Sequence, residues 1–232
     1  NELVYSPLCL SDVVATSRQK DVGVAIVNVG ASTTSLAVYE EGDLLHSAVI
    51  PIGADHITAD IAIGLRTSLE IADVLKRQYV NAAAQNVNKF QDIDLQSLGA
   101  PTSEVVSLRF ISDIAQARVE EIFERVEQEL KKIDRSGMLP AGVLLTGGGV
   151  KLEGMPEVAK TILRLPAILA QAQVPPSALE DVLQDPAFST ALGLVRWGFD
   201  TERSGDETVR YTGSGGKGGD FSHKPKQHND GG

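Results

Sequence analysis

The sequence predicts an α/β fold, a mixed sheet with flanking helices and an inserted α+β subdomain, and three observations predict it. Two glycine-bearing loops each follow an apolar run, in VAIVNVGASTTSLAVY (Val24 to Tyr39) and GVLLTGGGVKLEG (Gly142 to Gly154). Three strand-like runs succeed one another before the first helix of the set, and a long amphipathic helix separates them from the strand that leads into the second loop. A buried strand ending in glycine and small hydroxyl residues can present consecutive backbone N–H groups to an anion, since no Cβ blocks the approach. Two such loops on one lobe are what a nucleotide held from both ends requires.

Taken in chain order, the runs VGVAIVNVG, TTSLAVYEEG and DLLHSAVIPIG are divided by turn signals at Gly30 to Ser32 and at Glu41-Gly42-Asp43, which predicts an antiparallel meander. Asp55, with Gly53 as the alternative, is expected to cap the helix HITADIAIGL, whose Ile57, Ile61 and Leu65 recur on one face that packs on the sheet. A short helix, Leu69 to Tyr79, and a hairpin around Gly99-Ala100-Pro101 follow. From Phe110 to Ile133 apolar residues recur at helical spacing. Glu121 with Arg125 and Glu127 with Lys131 form i,i+4 pairs expected on the outer face, and Gly137 serves as the stop.

Beyond the Val143 strand and its TGGG loop the pattern predicts a helix from Glu157 to Leu165, a variable stretch with Pro175-Pro176, and a last helix around Ala187 to Trp197. The expected division is a connecting helix region over 1–20, a sheet-and-helix base over 21–64 and 140–200, an inserted subdomain over 65–139, and a disordered tail over 201–232. That tail is polar and glycine-rich, unable to bury enough apolar surface to offset its ordering entropy, so His223 and His228 read as solvated residues and not as metal ligands.

Composition narrows the function classes. A net charge of −10 and the lack of a basic stripe argue against nucleic acid, whose phosphates such a surface repels. A single cysteine, Cys9, excludes an intramolecular disulfide and reads as a small core filler in a reducing cytoplasm. No metal-ligand spacing is evident, and no apolar run reaches the roughly 18 to 20 residues that cross a bilayer. The chain opens with Asn1, not methionine, which leads us to expect a piece of a longer protein or a mature chain whose beginning lies elsewhere.

Four segments carry a closer likeness: VNVGASTTSLAVY, VIPIGADHITADIAIGLRTSLEIADVLK, RFISDIAQARVEEIFERVEQELKKI and LLTGGGVKLEGMPEVAK. Together, over roughly Ser6 to Phe199, the chain resembles the FtsA family of bacterial actin-like cell-division proteins. The phosphate loops alone are shared across actins, sugar kinases and chaperone ATPases, whereas IPIGADHITADIAIGLRTS and its position between them are more specific to this family. The resemblance implies an actin-like ATPase (ribonuclease H-like) lobe that binds ATP and, with it, Mg2+. It places Gly30, Ala31 and Ser32 at the glycine positions of a phosphate loop and Thr33 and Thr34 at its hydroxyl positions. Gly147, Gly148 and Gly149 fall at the adenosine motif, and Asp73 and Lys76 match a Glu-x-x-Lys pattern that reaches the ribose and base.

The departures from that pattern concern acids. Asn28 and Ser35 stand where the family has aspartates that organise hydrated magnesium or water near the γ-phosphate, so no catalytic residue is assigned and ATP hydrolysis is expected to be slow or absent. Asp21 or Asp55 substitutes only if the fold brings one inward. The resemblance further implies an adaptor linking FtsZ filaments to the inner face of the cell membrane at the division site. It would bind the FtsZ C-terminal peptide, with Arg109, Arg118 and Arg125 as candidate contacts, and self-associate into actin-like filaments. Membrane contact would run through a segment not found in this sequence. Two alternatives stay open: a PilM-like scaffold of type IV pilus assembly, which shares the fold, and an active ATPase or kinase of the superfamily.

Overall fold

The computed structural model describes residues 3–173 and 183–203. Pro175-Pro176, His223, His228 and the expected tail from residue 204 lie outside the described residues. Two short helices open the chain, α1 (Ser6–Val14) and α2 (Ser17–Val22). The second went unrecognised in the sequence although Thr16 and Gln19 form a reciprocal capping box around its first turn. Then β1 (Val24–Val29), β2 (Thr34–Glu40) and β3 (Asp43–Ile50) form the expected antiparallel meander, with Asn28 opposite Ser35 and Val29 opposite Thr34.

Two further strands complete a mixed sheet. β6 (Val143–Thr146) lies parallel to β1, and β7 (Ala167–Leu169) lies parallel to β6, giving the order β3-β2-β1-β6-β7. β1 is buried on both faces, as a central strand flanked by helices on each side must be. Its Ala25, Val27 and Val29, with Leu36 and Val38 of β2, join a core shared with α3 (Ala54–Leu65), α5 (Leu108–Lys132) and α6 (Met155–Leu163). Val24, Ile26, Ala37 and Tyr39 pack on the opposite side against Leu10, Val13 and Val14 of α1. The period-2 alternation thus resolves into two cores, one per face.

Between α3 and β6 lie α4 (Leu69–Gln78), the antiparallel pair β4 (Asp92–Asp94) and β5 (Val105–Ser107), and α5. Asp94 ties the hairpin: its carboxylate accepts from Gln96 N–H, Glu104 N–H and the Ser103 hydroxyl, which holds the carboxyl below its ordinary range. Of the apolar residues at helical spacing in α5, Ile111, Val119, Ile122, Val126 and Leu130 are fully buried and Ile114 is half-buried, as is Ile133 just past its end; Phe123, outside that set, is fully buried as well. Each such side chain contributes about 1.5–3 kcal/mol of burial, enough to fix the helix face without relying on its surface pairs.

One α5 residue reverses its expected role. Glu127 is buried, and its Oε1 accepts from Arg164 Nη2 and Ser136 Oγ, each at 2.5 Å, whereas Lys131 stands 3.8 Å away. The helix ends at Lys132, and Asp134 with φ 56°, not Gly137, takes the first left-handed conformation after it. The last helix, α7 (Ser189–Arg203), extends past Trp197 and so includes Thr201, Glu202 and Arg203, which were expected to belong to the tail. Within it Gly193 lies against α1, where a Cβ would stand 2.4 Å from the Cys9 carbonyl oxygen. That close crossing fits the small residues at this point of the helix. Among the described residues no helix is long and apolar enough to cross a membrane.

Candidate nucleotide site

The C-terminal ends of the parallel neighbours β1 and β6 open onto a cleft of about 530 Å3, within the roughly 300–1,000 Å3 of small-molecule sites. Its first wall is the loop after β1. Gly30 N–H donates to the Thr33 carbonyl at 2.8 Å and closes the turn, while the Gly30 and Ala31 carbonyls accept from Ala54 N–H and Asp55 N–H at 2.9 and 2.8 Å. Helix α3 is therefore capped by this loop through Gly53, and Asp55, the preferred cap on sequence grounds, sits inside the first turn. Among the described residues the N–H groups of Ala31, Ser32 and Thr33 take no protein acceptor, which leaves consecutive donors in an exposed turn.

Thr34 does not serve as expected. It is fully buried and its single O–H donates to the Ile52 carbonyl at 2.8 Å, so it ties β2 to the end of β3 instead of offering a donor to a phosphate. Of the first loop Ala31 lines the cleft itself; Ser32 and Thr33 continue the turn beside it.

The second wall is the TGGG loop. A Cβ on Gly147 (φ 91°) would lie 2.3 Å from Asn28 Oδ1 and 2.5 Å from the Val29 carbonyl oxygen, and one on Gly149 would lie 2.6 Å from Val29 Cγ1. These two glycines let the second loop rest on the end of β1. Loop-on-strand contact is thus a physical reason for glycine at these two positions. Gly147 N–H is spent on the Pro186 carbonyl at 3.1 Å and Gly147 does not line the cleft, whereas Gly148 and Gly149 do. At Gly148 the nearest atom to an added Cβ is Ala187 Cβ at 3.8 Å, which leaves it open to the cleft.

Asp73 and Lys76 close the third side, from α4. Lys76 has a side chain only 11% exposed and reaches Thr58 Oγ1 at 2.5 Å, Asp73 Oδ1 at 3.0 Å and the Ala54 carbonyl at 3.4 Å. It therefore clamps α4 onto the first turn of α3 while facing the cleft, which is more than a surface ion pair. Arg77, paired with Asp73 at 2.7 Å, also lines the cleft, as does Lys151, whose Nζ meets Asp185 Oδ2 at 2.7 Å. Lys151 is the main reason the Asp185 carboxyl is held below its ordinary range, with Ala187 N–H second. Arg77, Lys151, Asp185, Ala54 and Leu152 were not singled out in the sequence, and Ile57 was read there only as a packing residue. Only the neighbourhood of Lys151 to the glycine loop carried a signal.

The register brings Asn28 and Ser35 directly opposite each other on one face of the sheet, with Asn28 Nδ2 donating to Thr190 Oγ1 of α7 at 3.3 Å. No charge stands at that pair. Of the two acids able to replace it, Asp21 precedes the start of β1, beside the β2–β3 turn at Gly42, while Asp55 lines the cleft. Among the described residues no group of three or more histidine, cysteine, aspartate or glutamate side chains can hold a metal. Two carboxylates line the cleft, Asp73, which is paired with Lys76 and Arg77, and Asp55, which has no cationic partner among the described residues. Arg118, a candidate peptide contact, is already engaged within the chain, since Asp60 binds it through two hydrogen bonds of 2.6 and 3.0 Å and Glu121 through a third. Among the described residues Arg109 and Arg125 pair within α5, with Asp113 at 3.2 Å and Glu121 at 3.6 Å.

Comparison with known proteins bears on the fold and the family. The pattern described as cell division protein FtsA matches residues 25–193. The cell division protein FtsA of Pseudomonas aeruginosa is 34% identical over 88% of this chain and 49% of its own length, and that of Neisseria meningitidis serogroup B is 36% identical over 84% and 47%. The chain thus spans about half the length of the curated relatives it matches. Among solved structures, MreB5 of Spiroplasma citri bound to ADP aligns with a TM-score of 0.66 at 16% identity, covering 87% of this chain and 60% of that one. The PilM–PilN type IV pilus biogenesis complex aligns at 0.62 and 20% identity, covering 85% and 52%. These likenesses show an actin-like ATPase fold; with the match over residues 25–193, the chain belongs to the FtsA family of cell-division proteins.

Proposed function

We propose that this chain is the nucleotide-holding part of a cell-division adaptor that links FtsZ filaments to the membrane, and that it binds ATP with little or no hydrolysis. The observation that carries the nucleotide reading is the convergence of Ala31, Gly148, Gly149, Asp73 and Lys76 on one cleft, beside a turn with free N–H donors. Charge-assisted bonds from those N–H groups suit phosphate oxygens. MreB5 of Spiroplasma citri, of the same fold, was crystallised with ADP and with AMPPNP. The uncharged Asn28–Ser35 pair supports slow chemistry, because water near the γ-phosphate would lack the acid that positions it. In the same reading residues 21–64 and 140–200 form the base, 65–139 the subdomain set upon it, and filaments assemble from copies of the whole protein.

Partner choice separates this proposal from a pilus-assembly scaffold of the same fold. A synthetic FtsZ C-terminal peptide and a PilN-type peptide, each titrated by fluorescence anisotropy against the protein, should show saturable binding to the first alone. Binding to the second alone would overturn the adaptor role and favour the pilus reading, which the shared fold of the PilM–PilN complex keeps in view.

A further inference from the structure

Asp55 is an exposed carboxylate in the cleft lining that has no ion pair or hydrogen-bond partner among the described residues. The cations around it are all engaged: Lys76 and Arg77 with Asp73, and Lys151 with Asp185. Its backbone N–H is bonded to the Ala31 carbonyl at 2.8 Å, so the residue is anchored to the turn that offers the free N–H groups. A lone negative charge beside a phosphate cradle repels a polyphosphate unless a cation stands between them. Magnesium, which keeps its waters and takes one or two carboxylates together with substrate phosphates, is the cation that suits such a place.

We infer that Asp55 is the carboxylate by which this chain orients hydrated magnesium against a bound nucleoside triphosphate, in place of the acids missing at Asn28 and Ser35. The inference rests on the nucleotide reading above. It locates metal selectivity on the first turn of α3 instead of on the strand pair β1–β2. His56 cannot share the task as an acid, and its Nδ1 already accepts from Gly53 N–H at 3.1 Å. Holding the metal at Asp55 is separate from activating water, so it agrees with slow hydrolysis.

The test is calorimetric titration of the protein with ATP in excess Mg2+ and in EDTA, for the wild type, Asp55→Asn and Asp55→Glu. The wild type is expected to bind the magnesium complex at least about tenfold more tightly than free ATP. Asp55→Asn should bring the two affinities together, weakening the first and strengthening the second as the repulsion disappears, while Asp55→Glu keeps part of the difference. A wild-type ratio near one, or the same ratio in Asp55→Asn as in the wild type, overturns the inference and leaves ATP binding standing. Failure of the wild type to bind ATP under either condition overturns the nucleotide reading and the inference with it.

Discussion

Gly53 stands so close to the loop after β1 that a Cβ placed on it would lie 2.4 Å from the Ala31 carbonyl oxygen. This contact joins the N-terminus of α3 to the turn that carries the free N–H groups, so the turn and the helix hold one position together.

Substituting Gly53→Ala should therefore push the turn off the helix. Overpacking against backbone costs about 1–3 kcal/mol, read from chemical denaturation, and ATP affinity should fall by about tenfold or more in the same protein. Unchanged stability and affinity would show that the contact is slack.

The two glycine types of the TGGG loop should part ways. Gly147→Ala meets Asn28 and Val29 and a left-handed backbone, and should cost about 2 kcal/mol or more, whereas Gly148→Ala should stay within about 0.5 kcal/mol of the wild type. Nucleotide titration of Gly148→Ala then reports on the cleft without a folding defect.

Much of this arrangement was legible in the chain before any coordinates, and the exceptions share a cause. The meander could be read because β1 and β2 alternate between two apolar faces, and α5 because Ile111, Ile122 and Val126 keep helical spacing. β7 could not, since three residues after Pro166 establish no period and Ile168 and Leu169 are 57% and 45% exposed. Glu127 followed an i,i+4 pattern that normally marks an outer face; only its partner Arg164, distant in sequence, reveals it as buried. Asp55 looked like the better cap by side-chain chemistry, but the approach of the Ala31 loop placed the cap at Gly53. In the site, Asn28 and Ser35 were read one by one, and their placement opposite each other comes from the strand register, while the Lys151–Asp185 pair depends on contact between segments far apart in sequence.

Removing Arg164 should expose the cost of that buried carboxylate. Arg164→Ala leaves Glu127 with Ser136 as its close donor, and the expected loss is about 1–2 kcal/mol, reduced because Arg164 itself is 62% exposed. The double substitution Arg164→Ala, Glu127→Leu should recover most of it in the same denaturation assay.

Acid should loosen the contact between β3 and α5. Lys132, and after it His46, hold the Glu129 carboxyl below its ordinary 4.5. A folded-state value lowered in this way adds stability that is present above pH 4.5 and is lost as pH falls through the folded value. Glu129→Gln should remove that part of the acid limb, about 1 kcal/mol or less, in urea midpoints taken from pH 6 down to pH 3.

Asn28→Asp should raise ATP hydrolysis in the full-length protein, measured as phosphate release, because it returns an acid to the β1–β2 strand pair from which the proposed phosphate turn springs. An unchanged rate would remove the account of slow chemistry given for Asn28 and Ser35.

The most direct test of the central claim is an ATP titration followed by backbone amide NMR. If both loops close on one nucleotide, the Ala31, Ser32 and Thr33 amides and the Gly148 and Gly149 amides should shift together with a single dissociation constant. Shifts confined to one loop, or two loops titrating with different constants, would contradict a shared site.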